Sequence, residues 1–207
     1  MLDKIKQAVL AGEMEGIAEL TNQALGQGIE AREILDQALT PAMDIVGKEY
    51  EDGERYVPEM LISAATMKGA VTLLKPLLIE AGVEARGKLV IGTVEGDLHD
   101  IGKDLVAMMI EGAGFEVINL GAEITAEEFV KAVKEHKPNI VGMSALLTTT
   151  MIHMPEVIDA LKQASLRDQV KVIIGGAPVT QDYADKIGAD GYAPDAASAT
   201  KLAKSLT

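Results

Sequence analysis

The 207-residue sequence contains no cysteine and no tryptophan, and it has only three histidines, two phenylalanines and four tyrosines. Without cysteine the chain has no disulfide framework and no thiolate nucleophile, and it cannot hold zinc or an iron–sulfur cluster through sulfur. A metal site in this protein must therefore use nitrogen or oxygen ligands. The absence of cysteine also fits a reducing compartment, so we expect a cytoplasmic protein.

Basic residues are in the minority, with 19 lysines and arginines against 32 aspartates and glutamates and a formal net charge of -13. They are scattered along the chain, so a phosphate backbone would be repelled and nucleic acid is not an expected partner. The first residues carry Asp3 and lack the apolar core of a signal peptide, and we expect that no stretch approaches the roughly 20 apolar residues of a membrane span. We therefore expect no membrane association.

Hydrophobic residues make up 48% of the chain, enough for a full core. In the first 80 residues the apolar positions recur every three or four residues, which predicts helices near 2–11, 14–26, 30–51 and 57–80. Pro41 and Pro76 fall inside these patterns and could kink or divide the helices. The glycine-rich stretch 82–87 predicts a hinge, which divides the chain into a helical cap domain (1–85) and a second domain (86–207).

The second domain alternates short β-rich runs with helical patterns. The predicted strands are 88–94, 115–121, 139–145, 170–176 and a weak fifth at 191–195. This alternation is typical of an α/β fold, here a Rossmann-like (flavodoxin-like) five-stranded parallel sheet behind an N-terminal four-helix bundle cap. Such sheets bind ligands at the carboxyl ends of their strands, so the important loops should follow residues 94, 120, 144 and 175.

The loop after the first strand reads GDLHDIGKD, residues 96–104. In an extended stretch residues two apart face the same way, so Asp97 and His99 should meet. A carboxylate on one imidazole nitrogen fixes the tautomer and leaves the other nitrogen free to bind a metal or a proton. Gly102 should let the next helix approach closely. The competing interpretation is a plain helix cap with a solvated neighbour.

The other two histidines give weaker signals. His136 lies near a predicted helix end and is interpreted as a solvated or helix-terminal residue. His153 follows a run of threonines, has no evident carboxylate partner, and its role stays open.

Four motifs in order resemble the cobalamin-binding module of corrinoid methyl-transfer proteins and of cobalamin-dependent methionine synthase. They are DLHDIGKD at 97–104, NLG at 119–121, GMSALLTTT at 142–150 and IGGAP at 174–178. The stretch YVPEMLISAA at 56–65 resembles the helical cap that precedes that module. The resemblance covers essentially the whole chain and implies cobalamin as the cofactor.

By this resemblance His99 would be the lower axial ligand of cobalt, with the cofactor's own benzimidazole displaced as a buried tail. Asp97 would hold the imidazole, and Thr150 would complete a relay in which methionine synthase has serine. Ser144 and Thr148 match positions around the buried benzimidazole. A helix cap without any ligand remains the alternative for these hydroxyls.

Other positions would bind the cofactor by the same resemblance. Gly175 and Gly176 match glycines that leave room for the nucleotide tail, although strand-end glycines are often ordinary turn residues. The remaining positions expected in the loops are Asp100, Gly102 and Leu146.

The cap is expected to cover the upper face of the cofactor and to swing away for reaction, as a lid does. By match to the cap motif, Tyr56, Val57, Met60 and Met67 are candidates for its apolar surface. For Met60 and Met67 the alternative is ordinary bundle core, because methionine at helical spacing usually serves packing.

The resemblance implies a protein that carries a methyl group on cobalt between a substrate-specific methyltransferase and a second one acting on tetrahydrofolate or a thiol. A reductive activase would be a further partner. The alternatives are the cobalamin subunit of an adenosylcobalamin-dependent mutase, a cobalamin-sensing regulator, and a receiver or metal hydrolase built on the loop's acidic residues Asp97, Asp100 and Asp104 with His99. The methyl donor, the acceptor and the oligomeric state stay open.

Overall fold

A computed structural model of the protein describes residues 1–81 and 85–207, without the side chain at 79. The chain divides into two compact units. One contains Met1–Ala85 with the short stretch Glu111–Gly114, and the other contains Arg86–Ile110 and Phe115–Thr207. Part of the predicted hinge at 82–87 lies outside the described residues.

The first unit is helical, as predicted. Its helices are α1 (Leu2–Ala11), α2 (Met14–Gly26), α3 (Ala31–Ile34), α4 (Thr40–Glu51) and α5 (Val57–Glu80). Apolar side chains at helical spacing, such as Ile5, Val9, Ile34 and Val46, are fully buried.

The predicted third helix is continuous but locally widened. Between α3 and α4 the segment Leu35–Leu39 is π-helical, and the amide of Thr40 donates to the carbonyl of Leu35. Pro41 follows directly and has no N–H to donate to the carbonyl of residue 37, so the ordinary hydrogen-bond ladder cannot pass this point. The proline therefore widens the helix without dividing it.

Helix α5 corrects the expectation that no segment approaches membrane-span length. Over Val57–Leu78 it is long and apolar enough, by length and composition alone, to cross a membrane, and 33% of that stretch is buried in the chain. It also contains the polar side chains Ser63 and Thr66, which are fully buried. Core helices pass the same test of length and composition, so this observation is weak evidence for a membrane span.

The second unit is the predicted five-stranded parallel sheet, with strand order β2-β1-β3-β4-β5. Its strands are β1 (Lys88–Thr93), β2 (Glu116–Asn119), β3 (Ile140–Ser144), β4 (Lys171–Gly175) and β5 (Gly191–Tyr192). The intervening helices are α6 (Ile101–Gly112), α7 (Ala126–His136), α8 (His153–Gln163) and α9 (Gln181–Ile187). A terminal helix, α10 (Ala196–Leu206), was not predicted.

The register of the sheet fixes where the loops meet. Thr93 at the end of β1 pairs with Ser144 at the end of β3, and Ser144 pairs with Gly175 at the end of β4. Because all these strands are parallel, their carboxyl ends share one edge, and the loops that carry His99, Thr150 and Gly176 lie along it.

Candidate functional site

Asp97 and His99 form the predicted pair, but the backbone that joins them is a turn and not an extended strand. β1 ends at Thr93, and the loop then turns through Gly96, where φ is +76°. One carboxylate oxygen of Asp97 accepts the backbone N–H of His99 at 3.0 Å and lies 2.7 Å from Nδ1 of the same residue. A carboxylate that bonds the amide two residues on is an Asx-turn, so the loop closes on its own histidine.

The second carboxylate oxygen of Asp97 is held from the loop after β3. Thr150 Oγ1 donates to it at 2.7 Å, the amide of Leu146 donates at 2.7 Å and the amide of Leu147 at 3.3 Å. Burial would raise the pKa of Asp97, but the hydrogen bonds from Thr150, His99 and Leu146 outweigh it and hold this pKa well below its ordinary value. The fully buried carboxylate is therefore ionised at neutral pH.

An ionised carboxylate accepts hydrogen bonds and cannot donate them, so Nδ1 of His99 must carry the proton that joins the two groups. In the neutral ring this leaves the lone pair on Nε2. The His99 side chain is 52% exposed while that of Asp97 is 0% exposed. The buried, ionised carboxylate of Asp97 therefore holds the half-exposed imidazole of His99 in one orientation.

These contacts decide between the alternatives for the two polar motifs. The carboxylate of Asp97 faces His99, Thr150 and the amides at 146–147, whereas a cap would face the first turn of α6. Helix α8 begins after Ile152 with no side-chain cap bond, and the Thr150 hydroxyl instead bonds Asp97 and the carbonyl of Leu147. Neither motif is a simple helix cap.

The remaining loop residues lie at the same edge in different settings. Asp100 is half-buried before α6, Ser144 is half-buried at the end of β3, and Thr148 is exposed in the turn that follows. Gly102 lies in the first turn of α6, and a Cβ there would meet open space. The expected close approach of another part of the chain to Gly102 is therefore not present among the described residues.

The glycines of the sheet edge fall into two groups. At Gly176 φ is +127° and an added Cβ would lie 1.9 Å from the carbonyl oxygen of Ala145, while at Gly175 it would lie 3.0 Å from that of Ala193. These two glycines let neighbouring backbones approach. At Gly92 the missing Cβ leaves room for Phe129, which is internal packing.

Apolar side chains are exposed in the two segments that carry the polar contacts, the one with His99 and the one with Thr150. They are Leu98, Ile101, Leu146, Leu147 and Ile152. Such a rim suits a large, partly apolar ligand whose face meets the histidine, because exposed apolar groups near a polar anchor mark binding surfaces.

The described residues contain no group of three or more histidine, aspartate or glutamate side chains placed to hold a metal ion. Asp104 in particular is engaged by Lys103 and Asn119. A metal hydrolase built on the acidic loop is therefore not supported. A single imidazole fits a metal whose other ligands come from a cofactor.

Comparison with known proteins agrees with this chemistry. Models of the B12 binding domain match residues 87–201 and, separately, residues 1–75. A trimethylamine corrinoid protein of Methanosarcina acetivorans is 43% identical over 198 residues, which is 95% of this chain and 92% of that protein. A dimethylamine corrinoid protein of Methanosarcina barkeri is 40% identical over 207 residues, 100% of this chain and 97% of that protein.

A solved structure gives the same fold. The match is to the methanol:cobalamin methyltransferase complex MtaBC of Methanosarcina barkeri, with a TM-score of 0.86 and 31% identity over 98% of this chain and 77% of that one. The chain belongs to the corrinoid proteins of the B12 binding family. Its cofactor is a corrinoid, and it is of the methyltransferase-associated, methyl-carrying kind.

In the cap of this corrinoid protein the predicted surface residues differ in accessibility. Tyr56 is 71% exposed and Val57 is also exposed, whereas Met60 and Met67 are fully or almost fully buried. This burial fits the alternative of ordinary core packing for Met60 and Met67, and their place on the surface that covers the cofactor stays a prediction. Tyr56 and Val57 are the two cap candidates that are exposed in this structure.

Sequence reasoning missed two features of the corrinoid protein's site and misjudged a third. The amides of Leu146 and Leu147 on Asp97 leave no mark in the side-chain pattern, and the buried Lys103 looks like an ordinary surface lysine. His153 does have a carboxylate partner, because its Nδ1 lies 2.7 Å from Glu156. The spacing of three residues on a helix would have been a usable signal.

Proposed function

We propose that this corrinoid protein carries a methyl group on cobalt between two partner enzymes, with His99 as the lower axial ligand. One partner is a substrate-specific methyltransferase, and the other transfers the methyl group to tetrahydrofolate or a thiol. The observation that carries the proposal is the half-exposed imidazole whose Nδ1 is engaged by a fully buried carboxylate. The cofactor supplies the nucleophilic metal, and the protein supplies the oriented ligand.

The roles of the other residues follow from their positions. Asp97, itself held by Thr150, sets the tautomer of His99 and makes the imidazole a stronger donor. Leu146, with Leu98 and Ile101, would contact the corrin ring. Asp100 and Gly102 would lie beneath the ring, in the same segment as His99. Ser144, Thr148, Gly175 and Gly176 would border the nucleotide tail, and Tyr56 and Val57 of the cap domain would meet the cofactor.

The names of the relatives support a methylated amine as the first donor to test. Two curated relatives at 40% identity or more are a trimethylamine and a dimethylamine corrinoid protein. The structural match to a methanol methyltransferase complex supports a methyltransferase partner. The proposal also includes a reductive activase and a cytoplasmic location. Neither a mutase subunit nor a regulator is favoured by these names.

The decisive experiment is the visible spectrum of the purified protein after reconstitution with cobalamin. We expect an imidazole-ligated, tail-displaced spectrum for the native chain. His99→Ala should still bind cobalamin through the tail slot but should give a base-off spectrum. His153→Ala is the matched control, since it removes the other histidine that pairs with a carboxylate, and its spectrum should equal that of the native chain.

An unchanged spectrum in His99→Ala would remove this residue from its proposed role. Methyl transfer is then tested with purified methylamine and methanol methyltransferases, each incubated with the reduced protein and its methylated substrate. Methylation of the corrinoid by one of these enzymes identifies the donor, and absence of methylation by all of them would overturn the amine and alcohol assignment.

A further inference from the structure

Lys103 is a fully buried lysine in the first turn of α6, four residues after His99. Its side chain has 0% exposure and is among the largest fully buried side chains in the described residues. Lysine is almost never fully buried unless it is paired, because an ammonium loses its hydration on burial. A charge in this position therefore requires specific partners.

The partners join two parts of the sheet edge. Lys103 Nζ donates to Oδ1 of Asn119 at 2.7 Å and also to Asp104. The side-chain Nδ2 of Asn119 donates to Oδ1 of Asp104 at 2.7 Å. Burial would raise the pKa of Asp104, but the hydrogen bonds from Lys103 and Asn119 hold it below its ordinary value. The three side chains form a closed polar cluster in which the charge of the lysine is balanced.

This cluster is connected to the backbone that carries the histidine. Asn119 ends β2, and its Oδ1 also accepts the amide of Gly121 at 3.0 Å, while the carbonyl of Gly121 accepts the amide of Thr93 at 2.9 Å. The hydroxyl of Thr93 donates to the carbonyl of His99 at 3.2 Å. A second bond joins the same segments, since the amide of Glu123 donates to the carbonyl of Asp97 at 3.2 Å.

The loop that carries Asp97 and His99 is held from both of the strands that flank β1. In the sheet order β1 lies between β2 and β3. Thr150 and the amides of residues 146–147 hold Asp97 from the side of β3, and the Lys103 cluster holds the loop and the start of α6 from the side of β2. A loop fixed on both sides keeps its imidazole in one orientation before any ligand arrives.

We propose that Lys103 is a positioning residue, whose buried ammonium ties the start of α6 to the end of β2 and so fixes the His99 loop in its metal-binding conformation. The inference rests on the proposed role of His99 as the cobalt ligand. Lys103 itself touches neither the imidazole nor Asp97 in the contacts described above, so its action is through the backbone.

The test uses two variants and a matched control. Lys103→Met keeps most of the buried volume but removes the charge and its donors, and Asn119→Ala removes the shared acceptor at an exposed position. Lys134→Met, on the exposed face of α7, is the control. In the protein without cofactor, hydrogen exchange of the His99 amide is measured by NMR, because this amide is bonded to Asp97.

For both variants we expect faster exchange of the His99 amide, about tenfold, while core amides of β3 exchange as in the native protein. With cobalamin bound, the equilibrium constant for imidazole coordination should also fall about tenfold, the lower end of the effect of outer-shell partners. The Lys134→Met control should match the native protein in both measurements.

The two proposals can fail separately. If the native protein shows no imidazole-ligated spectrum, the proposed function fails, while the exchange experiment still tests whether Lys103 holds the loop. If folded Asn119→Ala shows exchange and coordination within twofold of the native protein, the positioning role is overturned. That variant decides the outcome even if Lys103→Met does not fold.

Discussion

Two histidine–carboxylate pairs in this protein have the same separation and very different settings. Asp97–His99 and His153–Glu156 each place a carboxylate oxygen 2.7 Å from Nδ1 of the imidazole. The Asp97 side chain is 0% exposed and accepts bonds from Thr150, Leu146 and Leu147 as well. The Glu156 side chain is 57% exposed, and its partner lies three residues away on the surface of α8.

The comparison shows that the distance between a carboxylate and an imidazole does not by itself determine how firmly the imidazole is held. An exposed ion pair competes with water and salt, and it contributes little to stability or orientation. A buried carboxylate with all its acceptor positions occupied cannot reorient, and each of its bonds is stronger at low dielectric. The first pair is therefore fitted to hold an imidazole still, and the second is not.

The largest effect is expected from Asp97→Asn. The amide would place an N–H group among donors from Thr150, Leu146 and His99, so at least one buried donor would lose its acceptor. We expect the free energy of unfolding to fall by about 3 kcal/mol, measured by urea denaturation. Asp159→Asn, an exposed carboxylate on α8, is the control and should change it by less than about 0.5 kcal/mol.

A loss below about 1 kcal/mol in Asp97→Asn would contradict the comparison, because it would mean that the buried carboxylate is no more important to folding than an exposed one. The same variant should lose most of the imidazole-ligated spectrum with cobalamin, since the amide no longer fixes the tautomer of His99.

The second largest effect is the pH dependence of the free energy of unfolding that arises from the Asp97 carboxylate. Its pKa in the folded protein lies well below its ordinary value, so the ionised carboxylate stabilises the fold at pH above that ordinary value of about 4 and loses this contribution as the pH falls further. The difference in unfolding free energy between the native protein and Asp97→Asn should be constant from pH 5 to 8. It should narrow below pH 4, as measured by urea denaturation at each pH.

A difference that narrowed between pH 5 and 8 instead would contradict the low pKa of Asp97.

The sequence alone predicted much of this site, for local reasons. Asp97 and His99 are two residues apart, so contact between their side chains depends on a single turn. The parallel sheet could be predicted because strand and helix patterns alternate along the sequence. The relay through Thr150 came from the resemblance, not from spacing. The parallel sheet then brings residues more than 50 positions apart to one edge, as expected for a flavodoxin-like order.

The features that were missed depend on tertiary placement. Lys103 is one of three consecutive polar or small residues in GKD, and nothing in that pattern distinguishes a buried ammonium from a solvated one. The position of Met60 in the helical pattern fits either an exposed or a buried side chain, and only the packing of the folded protein decides between them. The π-helical turn before Pro41 could not be predicted, because the sequence does not show whether packing against neighbouring helices keeps the chain helical across the proline.

Third in size is Thr150→Val, which keeps the shape of the side chain and removes the hydroxyl that bonds Asp97. One donor to a buried charge is lost, so we expect the free energy of unfolding to fall by about 1.5 kcal/mol. Thr150→Ser is the matched control and should lose less than about 1 kcal/mol, because it retains the donor and gives up only a buried methyl group. Equal losses in the two variants would mean that the hydrogen bond to Asp97 contributes no more to stability than the buried methyl group of Thr150.

The smallest effect is expected from Glu156→Gln, which removes the charge of the exposed pair. The glutamine oxygen can still accept from Nδ1 of His153, and water already solvates much of the side chain at position 156, which is 57% exposed. The free energy of unfolding should change by less than about 0.5 kcal/mol, and the spectrum with cobalamin should equal that of the native protein. A loss of more than about 1 kcal/mol, or a shift toward the base-off spectrum, would show that the exposed pair also supports the loop of Thr150. The contrast between the two histidines would then depend on their connection to that loop, and burial of the carboxylate would no longer be sufficient to explain it.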